Sequence, residues 1–199
     1  MPRLARVVAT GHPHHVIQRG NRRQKVFFGD KDKEEYLKIL DLNARLFQVK
    51  VWAYCLMDNH VHLIVVPQNE KSLTKTIGLT HQLYTRLINF RQGWNGYLWQ
   101  GRFKSVVLDE KYLYSAVRYV ENNPVRAGIV SRAEDYLWSS AKAHVNKENE
   151  GLLSWFYLLD EIRNWRNYLS EEDTKHMIEI IREHTGNGRP LGEVRGLLQ

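Results

Sequence analysis

The chain has 199 residues, 43% hydrophobic and 26% charged, enough for one domain with a sizeable core plus an appendage. Its 29 Lys and Arg against 22 Asp and Glu give a net charge of +7, which suits a polyanionic partner. One cysteine, Cys55, excludes an internal disulfide and a cysteine-based zinc cluster. No apolar run reaches the roughly 18 residues of a membrane helix, and no secretory signal stands at the start, so a soluble cytoplasmic protein is expected.

Six Arg or Lys residues and no acid precede Asp30, whereas the last helices are rich in Glu and Asp. The partner surface is therefore expected on the first two thirds of the chain. His12 to Arg19, with Val16 and Ile17, reads as a first strand ended by Gly20-Asn21. Lys31 to Phe47 carries Tyr36, Leu37, Ile39, Leu40, Leu42, Leu46 and Phe47 at helical intervals, which predicts an amphipathic helix. Val49 to Met57 and His60 to Val66 read as two strands joined by Asp58-Asn59, a hairpin closed by Pro67. Cys55, inside the apolar run of the first of these, is expected to be a buried hydrophobe.

Ser72 to Phe90 predicts a second helix with Leu73, Ile77, Leu83, Leu87 and Phe90 inward, then a turn-rich loop from Gly93 to Gly101 and a fourth strand from Lys104 to Asp109. The next helix carries a packing stripe of Leu113, Ala116, Val117 and Val120. Lys147 to Gly151 reads as a polar linker, followed by helices over Trp155 to Leu169 and Glu171 to His184, the latter capped by Ser170 with Asp173. Thr185 to Gln199, with four glycines, is expected to be irregular. This order predicts an α+β fold with a ferredoxin-like four-stranded antiparallel sheet, helices packed on one face and a C-terminal helical extension. The boundary is expected at 145/146.

In an extended strand, alternate side chains share a face, so His60 and His62 project together near the hairpin tip. Paired neutral imidazoles suit a divalent metal, but two ligands are too few and a third must come from elsewhere. On the last predicted helix of the sheet domain, Tyr119 and Asn123 lie one turn apart on the flank of the packing stripe. A helix laid on the sheet by that stripe would bring both beside the histidines.

His60-Val61-His62, then a helix carrying Tyr119 and Asn123-Pro124-Val125-Arg126-Ala127-Gly128, resembles the single-tyrosine HUH transposases, most closely the REP-associated tyrosine transposases. Gln18 to Arg23 and Leu98 to Ser105 match as well, so the resemblance runs from about His14 to Ser140. It implies the same fold, and it implies a metal-dependent endonuclease and strand transferase that nicks single-stranded DNA at hairpin or palindromic repeats through a covalent 5′-phosphotyrosine. Tyr119 would be the nucleophile, with Tyr112 and Tyr114 as rivals on the same helix. His60, His62 and Asn123 would hold Mg²⁺ or Mn²⁺, with zinc open from the residues alone. Arg19, Arg22, Arg23, Lys25, Arg102 and Lys104 are expected to contact phosphates. Trp99 and Phe103 are candidates to stack unpaired bases, as are Trp94 and Tyr97. His12, His14 and His15 are expected either to line the same cleft or to be ordinary rim residues, and are left outside the metal set. A monomer is expected, with a dimer open. The alternatives are a rolling-circle replication initiator or relaxase with the same chemistry, and a non-catalytic nucleic-acid binder of the same fold.

Overall fold

In a computed structural model of the chain, residues 7–148, 151–171, 175–187 and 191–192 are described. Four strands, β1 (His14–Arg19), β2 (Val49–Met57), β3 (His60–Pro67) and β4 (Lys104–Val107), form one antiparallel sheet in the order β2-β3-β1-β4. β2 and β3 close the predicted hairpin, with His60 opposite Met57 and His62 opposite Cys55. β1 then lies between β3 and β4, pairing Ile17 with both His62 and Lys104. The fold is α+β, as the residue pattern and the resemblance imply.

Strand alternation divides the apolar residues between two faces. Val16, Val51, Tyr54, Leu56, Val61, Leu63 and Val65 meet α1 (Asp30–Leu46) and α2 (Ser72–Gln92) through Tyr36, Leu40, Leu73, Ile77, Tyr84 and Ile88. Ala53, Cys55, Met57, Ile64 and Val106 point the other way and pack against Leu113, Ala116, Val117 and Val120 of α3 (Glu110–Glu121). The stripe read from the α3 sequence is therefore its buried face. Both faces of the sheet carry helices: α1 and α2 form the expected layer on one, and α3 lies on the other, because Ile64 and its neighbours also need cover.

Past α3 come the short α4 (Asn123–Arg126) and α5 (Ala141–Asn146). The single predicted helix over Trp155 to Leu169 is two short ones, α6 (Leu158–Glu161) and α7 (Trp165–Ser170), separated by extended backbone at Ile162 and Asn164. α8 spans Lys175–Asn187; the capping partner Asp173 lies outside the described residues. Phe156, Leu158, Trp165, Tyr168, Leu169 and Ile181 join the α3-side cluster, so the C-terminal extension completes that core.

Two helical faces differ from the sequence reading. Leu42 and Leu46 of α1 are exposed, and in α2 Leu83 is partly exposed and Phe90 points to solvent. Ile77 is inward as read, and His81, Tyr84 and Ile88 continue its ridge in place of Leu83 and Phe90, anchored by the Tyr36 hydroxyl at 3.0 Å from His81 Nε2 and by Tyr84, whose hydroxyl donates to the Val26 carbonyl. Polar-tipped aromatics that find internal partners displaced the leucines that apolar periodicity favoured.

Candidate active site

The α3-facing end of the central strands forms the floor of a cleft of about 660 Å³ lined by His15, Ile17, Arg19, Met57, His60, His62 and Lys104. Tyr119, Asn123, Arg126 and Ala127 form one wall, Gln100 and Arg102 another, and Arg182 and Thr185 of α8 reach in from the C-terminal extension. The hairpin aims the two histidines, and the α3 stripe sets the height of the tyrosine above them. Tyr119 is buried, its ring centroid 5.7 Å from that of His62, and the His60 and His62 rings are 4.9 Å apart.

The imidazoles are arranged to offer lone pairs. His60 donates from Nδ1 to Asn59 Oδ1 at 2.6 Å, and His62 Nδ1 is 2.9 Å from His15 Nε2, so in both rings Nε2 is the nitrogen left for the cleft. Burial, aided by the Arg19 charge, lowers the pKa of His60 to about 4. Burial, aided by the other two imidazoles and Arg126, holds His62 well below the ordinary histidine range. Both are therefore neutral near pH 7, the form that binds metals.

Asn123 follows the same pattern, its Nδ2 donating to the Tyr119 carbonyl at 3.4 Å and so leaving the Oδ1 atom as the acceptor. Two imidazole nitrogens and an amide oxygen on one cleft fit a divalent ion that keeps open positions. Among the described residues no group of three His, Cys, Asp or Glu side chains is placed to hold a metal ion, in this cleft or outside it, so a third ligand here has to be of another type, such as the Asn123 amide oxygen. The guanidinium of Arg126 lies 4.0 Å from the Tyr119 ring centroid and donates to the Tyr119 carbonyl. Of the rival tyrosines, Tyr114 donates to Glu161, and neither Tyr112 nor Tyr114 lines the cleft.

Arg19, Arg102 and Lys104 line the cleft, and with Arg126 and Arg182 they make five cationic residues with no carboxylate among the lining. Arg22 and Arg23 are exposed on a single turn (Asn21–Arg23) beyond β1, both with positive φ. That turn is held by Gly20, where a Cβ would stand 2.2 Å from the Gln24 carbonyl oxygen. Lys25 is paired with Asp58 at 3.2 Å.

Two of the four stacking candidates are corrected. Trp99 packs among Tyr36, His81 and Tyr84, and Phe103 beside His81, both in the α1/α2 core, so neither ring offers a face to a base. The other two candidates are exposed, Trp94 edge-on to Phe28 and Tyr97 almost wholly in solvent, as is Phe90, which the sequence reading placed inward.

Arg126, Thr185, Arg182 and Gln100 were not singled out by the sequence, and His15 was read only as a residue of the cleft or its rim, on a par with His12 and His14. Parity alone could have put His15 on the face of Ile17 and Arg19, but only the β1–β3 register joins that face to the histidine pair. His14 faces away, accepting from the Ala9 amide, and His12 lies outside the cleft. Cys55 is fully buried, and burial pushes its thiol pKa up. Among the described residues no helix is long and apolar enough to cross a membrane.

Residues 9–123 match the family model described as "Transposase IS200 like". A curated relative from Haemophilus influenzae, named a REP-associated tyrosine transposase, is 28% identical over 107 positions, covering 48% of this chain and 61% of the relative. The match thus spans less than two thirds of that protein. A solved REP-associated tyrosine transposase bound to a REP hairpin is 18% identical and superposes with a TM-score of 0.63, covering 78% of this chain and 93% of that one, which shows a shared fold. A solved transposase from Deinococcus radiodurans matches at 20% identity and a TM-score of 0.42 over 61% of this chain and 97% of that one. With more than half of its length matched by the family model, this chain belongs to the IS200-like transposase family.

Proposed function

We propose that the chain is a divalent-metal-dependent endonuclease and strand transferase that nicks single-stranded DNA at hairpin or palindromic repeats through a covalent link to Tyr119. The observation that carries this reading is the cleft itself. One phenol and two neutral imidazoles face each other there among five cationic residues and no carboxylate. The solved relative of the same fold is bound to a REP hairpin, which makes a hairpin the substrate to test first.

His60 and His62 through Nε2, with Asn123 through Oδ1, would hold Mg²⁺ or Mn²⁺. Such an ion supplies Lewis acidity, neutralising a non-bridging phosphate oxygen as charge builds in the transition state. The Tyr119 oxygen attacks phosphorus; the bond to the 3′-oxygen breaks as the new O–P bond forms, and the phenolic proton ends on the departing 3′-hydroxyl. The product is a 5′-phosphotyrosine whose bond energy is kept, so a 3′-hydroxyl can attack it and rejoin DNA without ATP. Arg126, against the Tyr119 ring, is placed to bind the phosphate as it approaches. Arg19, Arg102 and Lys104 bind flanking phosphates and fix register. Because tyrosine, histidines and asparagine meet within one chain, a monomer suffices for the reaction.

The test uses a labelled hairpin oligonucleotide with Mn²⁺ and denaturing electrophoresis. A protein–DNA adduct that forms with the native chain and is lost in Tyr119→Phe, with hairpin binding retained, supports the proposal. Tight binding without adduct in Mn²⁺ and in Mg²⁺ would make the chain a non-catalytic binder. An adduct lost only in Tyr112→Phe would move the nucleophile.

A further inference from the structure

His15 sits on β1 with its ring end to end and nearly coplanar with that of His62, centroids 5.1 Å apart and planes 10° from parallel. It is fully buried between the sheet and α8, and each of its nitrogens meets one partner. Nε2 lies 2.9 Å from His62 Nδ1, and Nδ1 lies 3.0 Å from Thr185 Oγ1. Thr185 Oγ1 in turn lies 2.6 Å from the Ile181 carbonyl oxygen.

The proton positions along this chain are fixed from its far end. A carbonyl oxygen only accepts, so the single Thr185 hydroxyl proton goes to Ile181. Thr185 Oγ1 must then accept from His15 Nδ1–H. A neutral His15 protonated there has a lone pair on Nε2, which accepts from His62 Nδ1–H. The lone pair of His62 is thereby left on Nε2, the nitrogen aimed at the cleft. We infer that His15 and Thr185 are positioning residues: together they lock His62 in the tautomer that can ligate a cation, and they make that ligand depend on the docking of the C-terminal helix α8.

The inference rests on the metal reading of the cleft, but tautomer and metal uptake are separate observables. Partners that orient a ligating histidine through its second nitrogen are generally worth about 10- to 100-fold in metal affinity. His15→Phe keeps a ring and removes the acceptor, whereas His15→Gln restores a carbonyl acceptor at a similar reach. Thr185→Val removes the acceptor for His15 Nδ1–H with little change in shape, and Thr185→Ser keeps it.

The experiment is ¹⁵N NMR of the histidine rings in the metal-free protein near neutral pH, with His62 assigned through His62→Gln, alongside calorimetric titration of the same samples with Mn²⁺. The expected spectrum has His62 protonated on Nδ1 in the native protein, in His15→Gln and in Thr185→Ser. A shift of population to the Nε2–H form is expected in Thr185→Val and His15→Phe, with Mn²⁺ affinity about 10- to 100-fold lower. Native His62 protonated on Nε2, or an unchanged His62 tautomer in both Thr185→Val and His15→Phe, overturns the inference. A native Nδ1–H tautomer that shifts in these variants while no sample takes up Mn²⁺ upholds the positioning role and overturns the metal reading instead.

Discussion

The rings of Tyr119 and His62 stand 5.7 Å apart, centroid to centroid, and at 80° to one another in a single chain. One belongs to a helix and the other to the central hairpin, so their meeting depends on how α3 seats on the sheet. The seating is set by the apolar stripe Leu113, Ala116, Val117 and Val120 and reinforced at the C-terminal end of the helix.

Reinforcement comes mainly from Glu121, two residues past the tyrosine and fully buried. Its carboxyl group accepts from Ser140 Oγ at 2.5 Å, His144 Nδ1 at 2.6 Å and Trp165 Nε1 at 2.8 Å, tying α3 to α5 and α7. Glu121→Ala leaves the buried His144 and Trp165 donors without an acceptor, Ser140 Oγ keeping only the Tyr54 carbonyl at 3.4 Å, and is expected to cost about 3–5 kcal/mol in urea unfolding. A loss below about 1 kcal/mol would mean that the network does not anchor the helix.

Asn123 is the proposed third ligand, and its truncation should act on the ion rather than on the fold. Asn123→Ala is expected to weaken Mn²⁺ binding by about tenfold or more, with the metal-free melting temperature nearly unchanged. Equal Mn²⁺ affinity in calorimetry would remove Asn123 from the set.

Arg102 and Lys104 line the cleft with exposed side chains, whereas Lys25 already neutralises Asp58. Each of Arg102→Ala and Lys104→Ala should lower the slope of log affinity against log salt for single-stranded DNA by about 0.7, and Lys25→Ala by less. Equal slopes for all three variants and the native chain would place the backbone path elsewhere.

Burial assigns opposite consequences to two neighbouring aromatics. Trp99→Ala is expected to cost about 3–5 kcal/mol of stability, as a large core deletion. Tyr97, 89% exposed, can be replaced by Ala within about 0.5 kcal/mol of stability. If Tyr97 stacks an unpaired base, that same variant loses about 1–3 kcal/mol of DNA affinity. Chemical denaturation and filter binding of both variants separate the roles.

Buried histidines make the fold acid-sensitive. Burial lowers His14 and His60 to about 4, and His15 and His81 to about 3. Above about 6.5 the rings are neutral folded or unfolded; below it only the unfolded chain gains their protons, so stability falls as pH drops from there toward 4. Each ring contributes up to about 1.4 kcal/mol per pH unit in that window. Urea midpoints in chelator that stay flat between pH 7 and pH 5 would show that the rings titrate normally.

Much of this was legible in the residues themselves. The period of two across His60-Val61-His62 put both imidazoles on one face, and the β-branched run after them made the strand a core strand. The stripe on α3 fixed which side of that helix was buried, and so that Tyr119 would flank it; Asn123, read on the same helix, instead opens α4 past the break at Asn122. These are local facts, set by the geometry of one strand or one helix.

What the tertiary structure decided is everything that depends on two elements meeting. His15 looked like its neighbours His12 and His14 until the β1–β3 register set Ile17 opposite His62. Trp99 and Phe103 read as stacking platforms because composition does not distinguish a buried aromatic from an exposed one; docking of α2 sealed them in. Thr185, more than a hundred residues from the hairpin, reached the histidines only because the sheet's second face needed apolar cover and the C-terminal helices supplied it.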